Sequence, residues 1–115
     1  MISWITSQLA IADLTDMLHH AYDTVTVIVD ARSYFGYLNR DDELGNIRDA
    51  VSLITRNIRE LERKVIVFCD AGMDRSPFIV AKTLCELEHI DLNDAYTLIK
   101  KKRPCVQEHY EWDIR

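Results

Sequence analysis

A cysteine and an arginine near the middle of the chain have the types and the spacing to form a nucleophilic anion-binding site. Cys69 ends a run of mostly β-branched residues, and Arg75 follows it after the short segment 70–74. Ser76 and Pro77 then open an apolar helical pattern. The N–H groups of such a loop and of the helix start point at an anion, and an arginine fork binds two of its oxygens. The same positive field favours a thiolate at Cys69, which is the reactive form of this side chain.

A buried cysteine beside a helix cap is the simpler interpretation of the same residues. Free cysteine is often a small core residue, and Ser76 is a suitable N-cap for a helix that begins at Pro77, a role that contributes about 1 kcal/mol. Gly72 permits a backbone turn that a Cβ obstructs. Because Gly72 and Arg75 occur together with the Ser-Pro helix start, the pattern favours the anion site.

The loop resembles that of a known enzyme family. Residues 69–77 match the pattern Cys-x-Ala-Gly-x-x-Arg-Ser-Pro of the small dual-specificity phosphatases, which belong to the cysteine-dependent protein tyrosine phosphatases. Residues 2–12 resemble the strand pair that opens the family's domain, and residues 95–104 resemble a helix that ends in Arg-Pro. The resemblance covers nearly the whole chain, with a shorter middle. It implies one phosphatase-like catalytic domain over residues 1–115, a size that also fits a single domain.

The resemblance implies a role for each loop residue. Cys69 would attack phosphorus and become a phosphocysteine, Arg75 would bind phosphoryl oxygens through the transition state, and the Ser76 hydroxyl would ease the departure of the sulfur. The phosphate-binding residues would be Asp70, Ala71, Gly72, Met73, Asp74 and Arg75. The implied substrate is a phosphoprotein that carries phosphotyrosine, phosphoserine or phosphothreonine, and no metal or other cofactor is implied.

Two neighbouring aspartates are candidates for the general acid that protonates the leaving oxygen. The family places this residue on a mobile loop well before the cysteine. Asp41 and Asp42 occur in that order here, after an extended segment and before a helix that contains Ile47. Asp42 is also suited to cap that helix, so Asp41 is slightly preferred as the acid. Asp30 ends a strand and lies too far upstream.

Phe68, Asp70 and Asp74 lie in or beside the loop and bear on how it would bind an anion. Phe68 replaces a histidine that usually helps to organise the loop, and Asp74 replaces a small or neutral residue. Together with Asp70, Asp74 adds carboxylates to a loop that would bind a dianion, at a cost on the order of 1 kcal/mol for a charge a few ångströms away. We therefore expect Asp74 to restrain the affinity for highly charged ligands and to favour basic flanks. The alternative is that both acids are solvated.

Composition bounds the partners and the compartment. The 115 residues include 14 Lys and Arg against 19 Asp and Glu, a net charge of −5, which disfavours nucleic acid and anionic membrane as partners. The odd number of cysteines, without zinc-type spacing, indicates reduced thiols in the cytoplasm. Cys85 is expected to fill the core and Cys105 to lie near the chain end, although either could protect Cys69 in a reversible disulfide. We expect a monomer without a signal peptide or a membrane span.

The hydrophobic pattern predicts an α/β fold with a central, mostly parallel sheet flanked by helices. Strands are predicted at 3–10, 24–29 and 64–68, helices at 12–22, 47–61, 77–88, 93–102 and 107–115, and 33–40 is ambiguous. Ligands in such sheets bind at the carboxyl ends of the strands, where Cys69 lies. The basic run 100–103 is interpreted as a solvated helix end rather than a binding patch. The four histidines show no metal-ligand spacing.

Two other functions remain open. Residues 27–32, Val-Ile-Val-Asp-Ala-Arg, resemble the Asp-x-Arg strand end of the rhodanese-like sulfurtransferases, although the cysteine loops of that family lack the Ala-Gly…Ser-Pro pattern. A non-catalytic phosphopeptide-binding module is suggested by Phe68 and Asp74. The presence of both Cys69 and Arg75 argues against this module.

Overall fold

The computed structural model describes residues 1–19, 24–35 and 40–113, and within 40–44 it describes the backbone alone. The strands are β1 (Ser3–Trp4), β2 (Leu9–Asp13), β3 (Val27–Asp30) and β4 (Val65–Cys69). The α-helices are α1 (Leu14–His19), α2 (Arg40–Arg59), α3 (Arg75–Glu88) and α4 (Leu92–Lys102). Short 3-10 helices span Ala31–Tyr34 and Tyr110–Trp112.

The strands form one mixed sheet in the order β1-β2-β4-β3. β4 lies at the centre and pairs in parallel with β2 on one side and β3 on the other. β1 runs antiparallel to β2 at the edge. This arrangement confirms the predicted α/β fold with a mostly parallel sheet, the opening strand pair and the central position of the strand that ends at Cys69.

The two faces of the sheet bury different amounts of apolar surface. Alternate residues of a strand point to opposite faces, and Ile11, Val65 and Val67 join the large core that includes residues of α2, α3 and α4. The opposite face carries a smaller cluster around Ala10, Ala12 and Ile66, partly covered by Met17 of α1. Cys69 belongs to the large core and is 2% exposed, so the loop that follows it starts beside α3.

Helix α3 is the central helix, because it packs against the sheet, α2 and α4. Most of its residues from Ser76 to Leu84 are buried, as expected for a helix that is enclosed on most sides. It begins at Arg75 rather than at Pro77, and Asp74 occupies the N-cap position. The predicted N-cap role of Ser76 is therefore wrong, since Ser76 lies inside the first turn.

In the amino-terminal half, the predicted bounds of one helix and the predicted bounds and burial of one strand were wrong. The predicted helix 12–22 begins at Leu14, because the two preceding residues extend β2 alongside β4; residues 20–22 lie outside the described part. The predicted buried strand 24–29 begins at Val27, lies at a sheet edge and is mostly half-buried. Its β-branched residues reflect strand propensity rather than burial, and Val25 is 69% exposed.

Helix boundaries account for the other differences. The helix predicted at 47–61 begins at Arg40 and ends at Arg59, so Asp42 lies inside its first turn and the predicted N-cap role is wrong. Leu61 lies beyond the helix and is exposed. The helix predicted at 107–115 is reduced to the 3-10 turn Tyr110–Trp112.

The described part of the chain contains neither a candidate membrane span nor a candidate metal cluster. No helix in residues 1–19, 24–35 and 40–113 is long and apolar enough to cross a membrane. The same residues contain no group of three or more His, Cys, Asp or Glu side chains that could hold a metal ion.

Candidate active site

The sulfur of Cys69 lies at the carboxyl end of the central strand, directly under the start of α3. The Sγ atom is 3.2 Å from the hydroxyl of Ser76, and the backbone N–H of Ser76 donates to Sγ at 3.4 Å. Ser76 is fully buried. Two hydrogen-bonding groups of the first helical turn therefore face the sulfur, which places it where the N-terminus of a helix stabilises negative charge.

Three carbonyl groups of the loop are bound from outside. The carbonyl of Asp70 accepts from the N–H of Leu14, that of Gly72 from Nε of Arg103, and that of Met73 from the N–H of Gln107. In a trans peptide the carbonyl of one residue and the N–H of the next point in opposite directions. The N–H groups of residues 71, 73 and 74 therefore point away from these anchors, as the predicted oxyanion cradle requires.

Gly72 is required by the backbone of this loop. Its φ of +65° lies in the left-handed region, which glycine adopts without a steric penalty. A Cβ at this position would lie 2.5 Å from Nη2 of Arg103 and 2.8 Å from the carbonyl oxygen of Ala12. The loop therefore packs closely against both β2 and the Arg103 side chain.

Arg103 anchors the loop from the end of α4. The side chain is 8% exposed; in addition to Gly72, it donates from Nη1 to the carbonyl of Met1 at 2.8 Å and to the hydroxyl of Ser3 at 3.0 Å. The interpretation of residues 100–103 as a solvated helix end is therefore wrong for Arg103. Its guanidinium satisfies three oxygens from the loop and the chain start, and such charge-assisted bonds are stronger than neutral ones.

Arg75, the predicted anion-binding residue, is bound to the loop's own carboxylate. Its Nη2 donates to Oδ2 of Asp70 at 2.9 Å, and Nη1 of Arg32 donates to Oδ1 of the same carboxylate at 2.9 Å. Hydrogen bonds from Arg32 and Arg75 lower the pKa of Asp70 below its ordinary value. Asp70 is thus an ionised bridge between two guanidinium groups rather than an isolated solvated acid.

Asp74 faces the carboxyl-terminal segment. Its Oδ1 lies 2.7 Å from Nε2 of His109, whose Nδ1 lies 2.7 Å from Oε2 of Glu111. The His109 ring stacks on Trp112 with centroids 3.8 Å apart. Burial disfavours the charged ring, but the hydrogen bonds with Glu111 and Asp74 outweigh it, and the pKa of His109 is raised. Both ring nitrogens can donate to carboxylates only in the protonated form.

The structure brings together part of the predicted site. Cys69, Ser76 and Arg75 converge at one end of β4, joined by the loop residues Asp70, Ala71, Gly72, Met73 and Asp74. The backbone of Asp41 and Asp42 lies in the first turn of α2. Their side chains lie outside the described part of the chain, so both remain candidates for the general acid.

Sequence reasoning missed three side chains that contact the loop. Arg32, Arg103 and His109 lie 38, 31 and 35 positions away from their partners in the loop. The Asp-x-Arg strand end and the Arg-Pro helix end marked Arg32 and Arg103 in the sequence without indicating these contacts. His109 had no signal of its own.

The three cysteines are free in this structure. Cys105 is exposed, and Cys85 is half-buried on the side of α3 that packs against the core. Burial raises the pKa of the Cys85 thiol, which keeps it in the less reactive protonated form. Of the three, Cys69 is the one that the loop predicted to bind an anion directly follows.

The arrangement can hold a tetrahedral oxyanion against a sulfur nucleophile. Loop N–H groups, the start of α3 and the Arg75 guanidinium supply donors around one end of β4, and such fixed donors stabilise charge that develops on oxygen. These groups therefore suit a reaction in which a tetrahedral oxyanionic group is transferred to the sulfur of Cys69.

Solved structures show where this fold is found. A crystal structure of PTPMT1 aligns with a TM-score of 0.72 at 17% identity over 97% of this chain and 88% of that one. Human DUSP28 aligns with a TM-score of 0.69 at 16% identity over 96% and 86% of the two chains. Cydia pomonella PTP-2 phosphatase aligns with a TM-score of 0.68 at 14% identity over 97% and 85%. At these identities the likeness establishes the fold.

The family follows from the sequence of nearly the whole chain. A search of curated proteins found no significant match. Residues 11–112 match the family model described as the dual specificity phosphatase catalytic domain. That range includes the strand, the loop and the helix that surround Cys69, together with the Arg103 and His109 anchors. The chain belongs to the family of dual-specificity phosphatase catalytic domains.

Proposed function

We propose that this chain is a cysteine-dependent protein phosphatase that hydrolyses phosphotyrosine and phosphoserine or phosphothreonine esters through a phosphocysteine intermediate. The observation that carries the proposal is the position of the Cys69 sulfur, 3.2 Å from the Ser76 hydroxyl and beside the anchored loop. Membership of the dual-specificity phosphatase family supports phosphoryl transfer over the rhodanese-like alternative.

In the first step the Cys69 thiolate attacks phosphorus, and the bond between phosphorus and the ester oxygen breaks. Arg75 and the loop N–H groups bind the phosphoryl oxygens, whose charge they stabilise in the transition state. The leaving oxygen takes a proton from Asp41 or Asp42, with Asp41 preferred. This division of one difficult displacement into two easier ones is the advantage of a covalent intermediate.

In the second step water attacks phosphorus and the bond to sulfur breaks, which releases orthophosphate. The hydroxyl of Ser76 donates to the sulfur as negative charge returns to it, so Ser76 acts mainly on this step. The aspartate that donated its proton is now ionised and accepts one from the attacking water. The thiolate and the protonated acid are restored.

Turnover of para-nitrophenyl phosphate in the presence of a chelator tests the proposal first. We expect activity without added metal, and we expect Cys69→Ser to abolish it while calorimetry still detects phosphate binding. Cys105→Ser is the matched control, because it makes the same change at an exposed cysteine. Full activity in Cys69→Ser would contradict the mechanism.

Phosphopeptides then test the substrate class. We expect comparable cleavage of peptides that carry phosphotyrosine and phosphothreonine. The structurally similar PTPMT1 has been solved in complex with PI(5)P, so this lipid phosphate is the comparison substrate. Preferential cleavage of the lipid would overturn the assignment to proteins. Phosphopeptide binding without turnover would identify a non-catalytic module, and transfer of sulfur from thiosulfate would identify a sulfurtransferase.

We also propose that the chain works as a monomer in the cytoplasm. The odd number of cysteines, without zinc-type spacing, supports this compartment. Light scattering of the purified chain tests the monomer directly, since a stable dimer doubles the measured mass.

A further inference from the structure

A second arginine sits at the edge of the anion loop and is held in a fixed position. The guanidinium of Arg32 donates two hydrogen bonds of 2.9 Å to the carboxylate of Asp30, from Nε to Oδ1 and from Nη2 to Oδ2. The backbone N–H of Arg32 donates to the same carboxylate at 3.0 Å. This two-bond contact fixes the direction of Nη1, which donates to Oδ1 of Asp70 at 2.9 Å.

The residue before the nucleophile supports this arginine from below. The guanidinium carbon of Arg32 lies 5.5 Å from the centre of the Phe68 ring, within the range of a cation–π contact. Phe68 and Asp30 are also partners in the parallel register of β4 and β3. The Asp-x-Arg strand end and Phe68, both of which stand out in the sequence, therefore belong to one structural unit beside Cys69.

Asp70 connects that unit to the anion-binding arginine. One oxygen of its carboxylate is bound by Arg32 and the other by Nη2 of Arg75. The N–H that Asp70 accepts is one of the five that Arg75 can offer to a phosphoryl group, and a phosphoryl oxygen that uses this N–H must displace the carboxylate. Asp70 therefore competes with the ligand for Arg75, and the strength of this competition depends on what else holds Asp70.

We propose that Arg32 is a positioning residue that raises the oxyanion affinity of the loop by retaining the Asp70 carboxylate when Arg75 turns to the ligand. This rests on the proposed function, in which the ligand is the phosphoryl group of a substrate. With Arg32 present, Asp70 keeps one charge-assisted bond after it releases Arg75. Without Arg32, the remaining guanidinium partner of Asp70 among the described residues is Arg75, so the competition with phosphate becomes stronger.

A double-mutant cycle on phosphate binding tests this proposal. Isothermal titration of inorganic phosphate into the full chain is compared for the wild type, Arg32→Gln, Asp70→Asn and the double variant. We expect Arg32→Gln to weaken binding roughly two- to fivefold, the range expected for a partly exposed charge pair. Asp70→Asn should tighten binding, and Arg32→Gln should have no further effect in the Asp70→Asn background. Such dependence on a neighbour is what the cycle measures.

The controls separate this role from structural damage and from direct ligand contact. Arg56→Gln changes the net charge equally at an exposed position on α2 and should leave phosphate binding unchanged. Asp70→Asn preserves the Asp30–Arg32 fork, so it folds even if Arg32→Gln does not. Unchanged or weaker binding in Asp70→Asn overturns the proposal. Equal weakening by Arg32→Gln with and without the Asp70 carboxylate also overturns it, because Arg32 would then act directly on the ligand or on the fold.

The cycle is distinguishable from the test of the proposed function. Phosphate binding needs no turnover, so a wild-type chain that binds phosphate without hydrolysing para-nitrophenyl phosphate overturns the proposed function and still completes the cycle. Hydrolysis with no coupling between Arg32 and Asp70 overturns this inference alone. A wild-type chain that binds no phosphate overturns both.

Discussion

The replacement of Gly72 by alanine is predicted to destabilise the protein and to disrupt the anion loop. The left-handed backbone at φ +65° costs an alanine about 1 to 2 kcal/mol. The added Cβ would lie 2.8 Å from the carbonyl oxygen of Ala12, which belongs to β2 and is fixed by its pairing with β4. The strand cannot yield cheaply, so the loop has to move.

Movement of the loop also disturbs Arg103. The same Cβ would lie 2.5 Å from Nη2 of Arg103, whose Nε donates to the carbonyl of Gly72 at 2.8 Å. Loss of a hydrogen bond from a charged group costs about 1.5 to 3 kcal/mol. Together with the backbone term we expect Gly72→Ala to lower the free energy of unfolding by about 2.5 to 5 kcal/mol, a large part of the 5–15 kcal/mol typical of a domain.

Urea denaturation followed by tryptophan fluorescence measures this loss, and Gly45→Ala is the matched control. Gly45 lies in α2, and a Cβ there would meet nothing within 4 Å, so this change should stabilise the protein by roughly 0.5 to 1 kcal/mol. Turnover of para-nitrophenyl phosphate, measured where both variants are folded, should fall strongly in Gly72→Ala alone. A Gly72→Ala variant within about 0.5 kcal/mol of the wild type would refute the close packing of the loop against β2 and Arg103.

Three further predictions concern proton transfer and charge around the loop. Replacing the correct one of Asp41 and Asp42 by Asn should lower kcat about 10²- to 10⁴-fold and flatten the basic limb of the pH profile; if neither variant differs from the wild type on a poor leaving group, the acid lies elsewhere. Because the pKa of His109 is raised in the folded protein, its contribution to stability is complete below the ordinary value of 6.5 and is lost as the pH rises through the folded value. In urea denaturation, His109→Gln should therefore lose the most free energy of unfolding in acid. A loss that does not depend on pH would exclude this linkage. Asp74→Ser should tighten inhibition by vanadate, which stands in for the transferring phosphoryl group, by several-fold once His109 has lost its proton. The effect should be smaller at lower pH, where the His109 imidazolium offsets the Asp74 carboxylate. An unchanged inhibition constant at low salt would show that Asp74 has no influence on the anion.

The strand, loop and helix that surround Cys69 could be predicted because they are contiguous in the sequence. The end of β4, the turn at Gly72 and the start of α3 lie within a short stretch, and each is marked by local residue preferences. Phe68 departs from the family pattern in the sequence itself, but its position under Arg32 depends on the neighbouring strand β3. A cross-strand contact of this kind has no signature in either segment alone.

The contacts that support the loop could not be predicted for a related reason. Arg103 lies in a run of basic residues at a helix end, where solvation is the usual outcome, and the chain start buries it. The burial of β3 was overestimated because β-branched composition does not distinguish an edge strand from a central one. The choice of Asp41 or Asp42 as the general acid stays a prediction.

Detection of the phosphocysteine tests the central claim most directly. A phosphate ester that carries a radiolabelled phosphoryl group is mixed with the enzyme, the reaction is quenched during turnover, and the label is mapped after proteolysis. We expect the label on the peptide that contains Cys69, and more of it in Ser76→Ala, because loss of the hydroxyl 3.2 Å from the sulfur slows the second step. Steady hydrolysis of the ester without label on Cys69 in either the wild type or Ser76→Ala would contradict the covalent mechanism.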